Sequence, residues 1–218
     1  MLVFVVGDFL VLMKIKMILW NVRGLNDPWK RFVKNLLREW KCDVVCLQEM
    51  KIANMNRQLV CSFWSCPFVD WAILEADQTT GGIVLMWDKR VLEKVEVMVG
   101  TFSVSVKWQG VGDGFIWACS GVYGPNENND KGHIWDELVG IQQYQRILWC
   151  CFGDVNMVHF PSERRGETRL TLAMEKFSEF VEDLNLVDFP LEKGSYTWLS
   201  GSNQLAMFRI DRSLVTPD

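Results

Sequence analysis

Histidine is scarce in this chain, with two in 218 residues, and the seven cysteines include no Cys-x-x-Cys pair. With only His133 and His159 to join unpaired thiols, a structural zinc site lacks its ligands. The cysteine count is odd, and Cys46, Cys119, Cys150 and Cys151 lie inside strand-like runs, so buried reduced thiols are expected rather than a disulfide framework. Reduced thiols fit a nuclear or cytoplasmic location. Net positive charge is also missing: the balance is −4 with a pI near 5.3, which gives no overall pull toward nucleic acid and makes any such binding local. No apolar run is long enough to span a bilayer. The nearest to one, "MLVFVVGDFLVLMK", has no basic residue before it, is interrupted by Asp8 and has no small-residue cleavage site after it. Residues 1–14 therefore read as an apolar extension, either an extra strand or a segment foreign to the domain of residues 15–218, with a signal anchor as the remaining alternative. No stable membrane association is expected.

A hydrophobic fraction of 49% is ample for a sizeable core, and no repeat, low-complexity tract or linker divides the chain. Most of the eleven tryptophans sit inside apolar runs, as Trp20, Trp87, Trp117 and Trp149 do, and read first as core. "IKMILWNV" and "DVVCLQE" read as buried strands ending at Asn21 and Glu49. Between them, Phe32, Val33, Leu36, Leu37 and Trp40 recur at helical spacing. In the stretch from Phe68 to Trp117 the runs "VDWAIL", "GGIVLMW", "VEVMV", "FSVSVKW" and "FIWACSGVY" are separated by Gly, Asp and Lys clusters, which predicts an antiparallel meander. Helices are expected over about 129–144 and 170–184, with the strand "RILWCCF" between them. Two closing strands, "YTWL" and "FRIDRSLV", follow.

Polar residues recur where these buried strands end: Asn21, Glu49, Tyr123, Asp154 with Asn156, and Asp211. "FGDVNMV" is the sharpest case, because the pleat of a strand would carry Asp154 and Asn156, two apart, to one side. Any one of these residues is equally at home as a turn former, a cap or a solvated strand end. Together they point to one site at the end of the strands.

Taken in order, "WNVRGLN", "CLQEMK", "GGIVLMW", "SGVYGPN", "FGDVN", "YTWLSG" and "RIDR" resemble the endonuclease/exonuclease/phosphatase superfamily. The likeness is to the apurinic-type endonuclease domain of non-LTR retrotransposons, especially plant reverse-transcriptase-like proteins, and it covers roughly residues 15–215. The resemblance implies an α/β fold, a four-layered sandwich of two mostly antiparallel sheets flanked by helices. It also implies divalent-metal-dependent hydrolysis of phosphodiesters in DNA or other nucleic acid, with Mg²⁺ or Mn²⁺ held through Glu49 and Asn21. A hard cation of this kind needs few protein oxygens and keeps several waters. Asp154 falls where the family places the acid that handles attacking water or leaving group. Asn156 and Tyr123 fall where the scissile phosphate is hydrogen-bonded, and Asp211 where a histidine is oriented. Thr197 matches a site-lining position. Basic residues available to phosphates are Lys14, Lys16, Arg23, Arg164, Arg165 and Arg169.

The resemblance breaks at one point. The family's Ser-Asp-His strand would follow "RIDR", and no Ser-Asp-His occurs in these 218 residues. The expectation is therefore either a nuclease impaired by truncation, or a non-catalytic element-derived fragment with at most weak nucleic-acid or metal binding. A phosphatase or deadenylase of the same superfamily is the further alternative.

Overall fold

Thirteen strands and four α-helices are seen in the computed structural model, which describes residues 4–6, 15–22, 24, 27–52, 55–76, 81–125, 132–191, 194–200 and 206–217. The first sheet takes β1 (Phe4–Val6), β2 (Met17–Asn21), β3 (Val44–Gln48), β4 (Val69–Leu74) and β5 (Ile83–Asp88), in the order β1-β2-β3-β5-β4. The second takes β6 (Leu92–Val99), β7 (Ser103–Gly110), β8 (Ile116–Tyr123), β9 (Trp149–Asp154), β10 (Val187–Asp188) and β13 (Asp211–Val215), in the order β10-β13-β9-β8-β7-β6. The hairpin of β11 (Trp198–Ser200) and β12 (Ala206–Phe208) stands apart. Neighbours run antiparallel except β2 with β3 and β8 with β9. A helix bridges each parallel pair, α1 (Asp27–Trp40) and α3 (His133–Gln145), as a parallel connection requires.

Strand pleating sorts the side chains into layers. On β3, Val44 and Cys46 face the second sheet, while Val45 and Leu47 face α1 and α2 (Arg57–Phe63). On β9, Cys150 and Phe152 point between the sheets, and Trp149 and Cys151 point toward α3 and α4 (Leu172–Asp183). The four expected layers follow: α1 and α2, first sheet, second sheet, α3 and α4. Trp87, Trp108 and Trp117 meet in the inter-sheet layer with ring centroids 5.5 and 4.9 Å apart, so these tryptophans are core as expected.

The differences from the sequence reading are local. α3 begins at His133 rather than near 129, and residues 126–131 lie outside those described. α4 begins at Leu172, two residues inside the expected start, because the Thr171 hydroxyl caps it by accepting the Met174 N–H at 3.4 Å. α2 was not foreseen, being only seven residues long. "FRIDRSLV" is divided: Thr197 Oγ1 accepts the N–H groups of Ile210 and Asp211 at 2.9 and 3.1 Å and parts β12 from β13. Residues Phe4–Val6 of the N-terminal extension pair antiparallel with β2, and residues 7–14 lie outside those described.

Candidate active site

Each strand that feeds the site changes character at its last position on the inter-sheet face. On β2, Met17 and Leu19 are followed by Asn21. On β8, Trp117 and Cys119 lead to Tyr123, and on β9 Cys150 and Phe152 lead to Asp154. β13 runs antiparallel to β9, so its first residue, Asp211, sits opposite Asp154. Four positions thus carry two carboxylates, an amide and a phenol to the same end of the sandwich.

The side chains meet there. Asn21 Nδ2 donates to Glu49 Oε1 at 2.6 Å and lies 3.5 Å from Asp154 Oδ2, and the Tyr123 hydroxyl donates to Glu49 Oε1 at 3.1 Å. Tyr123, Asp154 and Asp211 are buried. Burial, reinforced by the nearby carboxylates of Asp211 and Glu49, raises the Asp154 carboxyl to about 7, against the opposing hydrogen bonds from Asn156 and Asn21. Among the described residues, no lysine or arginine forms an ion pair with Glu49 or Asp154.

Two site residues leave the strands by a left-handed turn. Glu49 follows β3 with φ +54°, its N–H bonded to Gly82 O at 3.0 Å and its carbonyl accepting from Gly24 N at 2.7 Å. A side chain at Gly81 would collide with Glu49, and Gly82 itself has φ +75°, which accounts for the glycine pair in "GGIVLMW". Asn156 follows β9 with φ +52°. Its N–H bonds Asp154 Oδ1 at 2.9 Å and its side-chain amide donates to Gly124 O at 2.7 Å. Asp154 and Asn156 therefore share a side through an Asx turn and not through the pleat expected from their spacing, because the strand ends at Asp154. Left-handed backbone at residues other than glycine is costly and gathers where a site imposes it.

The remaining candidates separate. Thr197 is a buried backbone clasp, its hydroxyl engaged by the N–H groups of Ile210 and Asp211, and it holds Asp211 through the main chain. Arg164 is half-exposed, lies over the Phe208 ring at 5.4 Å and is 3.6 Å from Glu167. It lines a cleft of about 740 Å³ that opens beside Asn156 and Ile210 and also takes in Met157, Lys176 and Phe208. Arg165 is placed by its backbone bond to Met207 O at 3.0 Å. Lys16 lies at the opposite end of β2 from Asn21, where its N–H bonds Asp43, which removes it from the site. Arg23 and Lys14 lie outside the described residues. Neither histidine joins Asp154. His133 opens α3, and His159 is buried between Phe160 and Phe177, bonded to Ser178 Oγ at 3.0 Å, with burial and Arg212 lowering it to about 4.

The two arginines that flank Asp211 in "RIDR" pair with acids of other elements. Arg209 pairs with Glu163 and Asp188 at 3.1 and 2.9 Å, and Arg212 pairs with the same two acids, 2.7 Å from Asp188. Gln48 was missed altogether. It is the one polar residue in the run "VVCLQ" and is fully buried, which was the available signal.

The donor set at the site is oxygen-rich, and among the described residues no lysine or arginine pairs with its Glu49 and Asp154 carboxylates, which suits a hard divalent cation better than zinc. No cluster of three or more His, Cys, Asp or Glu side chains gathers to cage an ion among the described residues.

The sequence model of the Endonuclease/Exonuclease/phosphatase family matches residues 18–218. No curated protein matches the chain by sequence. Solved structures share the fold. The endonuclease domain of TRAS1, a telomere-specific non-LTR retrotransposon, superposes with a TM-score of 0.68 at 11% identity, covering 92% of this chain and 84% of that one. The Xenopus laevis APE2 catalytic domain gives 0.64 at 18%, covering 92% and 82%. The human Nocturnin catalytic domain, with a bound sulfate anion, gives 0.62 at 14%, covering 93% and 82%.

Proposed function

Because the chain belongs to the endonuclease/exonuclease/phosphatase family, we propose that it hydrolyses phosphodiester bonds in DNA with a divalent metal, Mg²⁺ or Mn²⁺. The observation that carries this reading is the meeting of Glu49 and Asn21 from one sheet with Tyr123, Asp154, Asn156 and Asp211 from the other. Glu49 and Asn21 would hold the cation, which when bound polarises the phosphoryl group and eases departure of the leaving oxygen. Asp154, held by the Asn156 N–H and facing Asn21, orients the attacking water and takes its proton. Tyr123 and Asn156 donate hydrogen bonds to phosphate oxygens as charge develops. Arg164 and Arg165, with Arg23, contact flanking phosphates. Neither His133 nor His159 takes part.

The test is nicking of supercoiled plasmid with Mg²⁺. Activity should vanish in EDTA and fall by about 10³-fold or more in Glu49→Ala and Asp154→Ala. Nicking that survives both substitutions would end the reading. Replacing Arg164 and Arg165 with alanine should weaken DNA binding and flatten its salt dependence.

A second reading is favoured by the net charge of −4, which repels a polyanion: hydrolysis of a small phosphoester. Turnover of p-nitrophenyl phosphate without turnover of plasmid or oligonucleotide would select it.

A further inference from the structure

The two halves of the proposed site belong to different sheets, and the layer that joins those sheets is almost entirely apolar. Its members, such as Leu19, Cys46, Leu85, Val106, Trp108 and Phe152, attract without direction. Apolar packing fixes the distance between the sheets far better than their alignment, yet carboxylate chemistry needs alignment within fractions of an ångström. Some directional contact has to set it.

Gln48 stands at that place. It is the last residue of β3, on the same pleat face as Val44 and Cys46, and no part of it reaches solvent. Its Nε2 donates to the carbonyl of Val122 on β8, and its Oε1 accepts the backbone N–H of Asp154 on β9 at 3.2 Å. Its own carbonyl accepts the Val22 N–H at 3.0 Å, just beyond Asn21 on β2. One residue therefore ties the strands of Asn21 and Glu49 to those of Tyr123 and Asp154. The neighbouring sequence accommodates it, since a side chain at Gly153 would strike both the Gln48 amide and the Val122 carbonyl.

We infer that Gln48 is the positioning residue of the site, a carboxamide that registers one sheet against the other and aims Asp154 at the Glu49 half. The inference rests on the hydrolytic reading for its kinetic arm only. Gln48 touches no substrate and no reacting atom. It acts through the Asp154 backbone.

Two substitutions test it in the full chain. Gln48→Met keeps length and volume but removes both hydrogen bonds. Gln48→Asn keeps both groups on a stem one methylene too short to span the gap. Each should melt cooperatively and lower kcat on an oligonucleotide by about 10²-fold, with KM held within about threefold. Hydrogen exchange supplies a readout independent of turnover: the Asp154 amide should exchange at least about tenfold faster in both variants, with the Phe152 amide of the same strand unchanged. A folded variant with wild-type kcat per molecule, or with an unchanged Asp154 amide, overturns the inference. A wild-type chain that hydrolyses no phosphoester with Mg²⁺ overturns the proposed function instead, and the exchange arm then decides on Gln48 alone.

Discussion

Two buried charge clusters lie against β9 and β13, and they are built on opposite plans. One gathers Glu163, Asp188, Arg209 and Arg212, two acids against two bases, with every partner within 3.1 Å. The other gathers Glu49, Asp154 and Asp211 with amides and a phenol and no ion pair to Glu49 or Asp154 among the described residues. In the first, hydrogen bonds and charge from Arg212 hold Glu163 below the usual carboxylate range, although burial still lifts Asp188 above it. In the second, burial and like charges lift Asp154. The pairing of the first cluster pins the loop after β9 to β13. The second is left under electrostatic tension, which an incoming cation would relieve. A buried acid without a base is costly to fold, and such a cost is tolerated where a site needs it.

Removing the base from the paired cluster should have the largest effect. Arg212→Met leaves two buried carboxylates facing one arginine and should cost about 3–5 kcal/mol in urea unfolding. A loss below about 1 kcal/mol would show that the two clusters are equivalent.

The clusters should also answer pH with opposite slopes. His159 packs beside the paired cluster and is lowered to about 4 from an ordinary value of 6.5, so the unfolded chain takes up its proton first. Stability falls as pH drops from 6.5 toward 4, by on the order of 1–3 kcal/mol, and His159→Phe should remove that slope. Asp154 runs the other way. Its carboxyl is raised from 3.8 to about 7, so in EDTA its contribution is present below 3.8 and is lost as pH rises through 7. Asp154→Asn should abolish that second slope and leave the first.

Metal should move only the acidic cluster. With Mg²⁺ at about ten times its dissociation constant, binding adds about 1.4 kcal/mol, a rise of ~3–5 °C in Tm for a chain of this size. Glu49→Ala should lose this shift and Arg164→Ala should keep it. The smallest effect expected is a gain of about 1 kcal/mol at pH 8 in EDTA for Asp154→Asn, from relief of like-charge repulsion. Equal stability of that variant and the wild type would mean that the carboxylates are not in tension.

What could be read in the sequence was whatever follows strand periodicity. Asn21 and Asp154 each end a run with an apolar residue two positions back, Leu19 and Phe152, so their common face was legible. The turn at Asn156 was not, because its left-handed backbone and its bond to Gly124 depend on where β9 stops. Gln48 was hidden beside the more conspicuous Glu49, and its meaning lies in contacts to residues far along the chain. The arginines of "RIDR" were visible but their partners were not, since Glu163 closes a single helical turn and Asp188 the two-residue β10, both too short for a periodic signal.

The position of β13 has a consequence for the order of events during synthesis. This strand inserts between β9 and β10 in the second sheet and brings residues made long after Asn21 and Glu49. A nascent chain stopped before Asp211 has the first sheet and five of the six site residues, but it has an open edge on β9. Non-local pairing of this kind is slow, and the exposed edge invites chaperone capture or aggregation meanwhile. Whatever chemistry the domain performs, Asp211 joins the other five site residues only once β13 has docked beside β9.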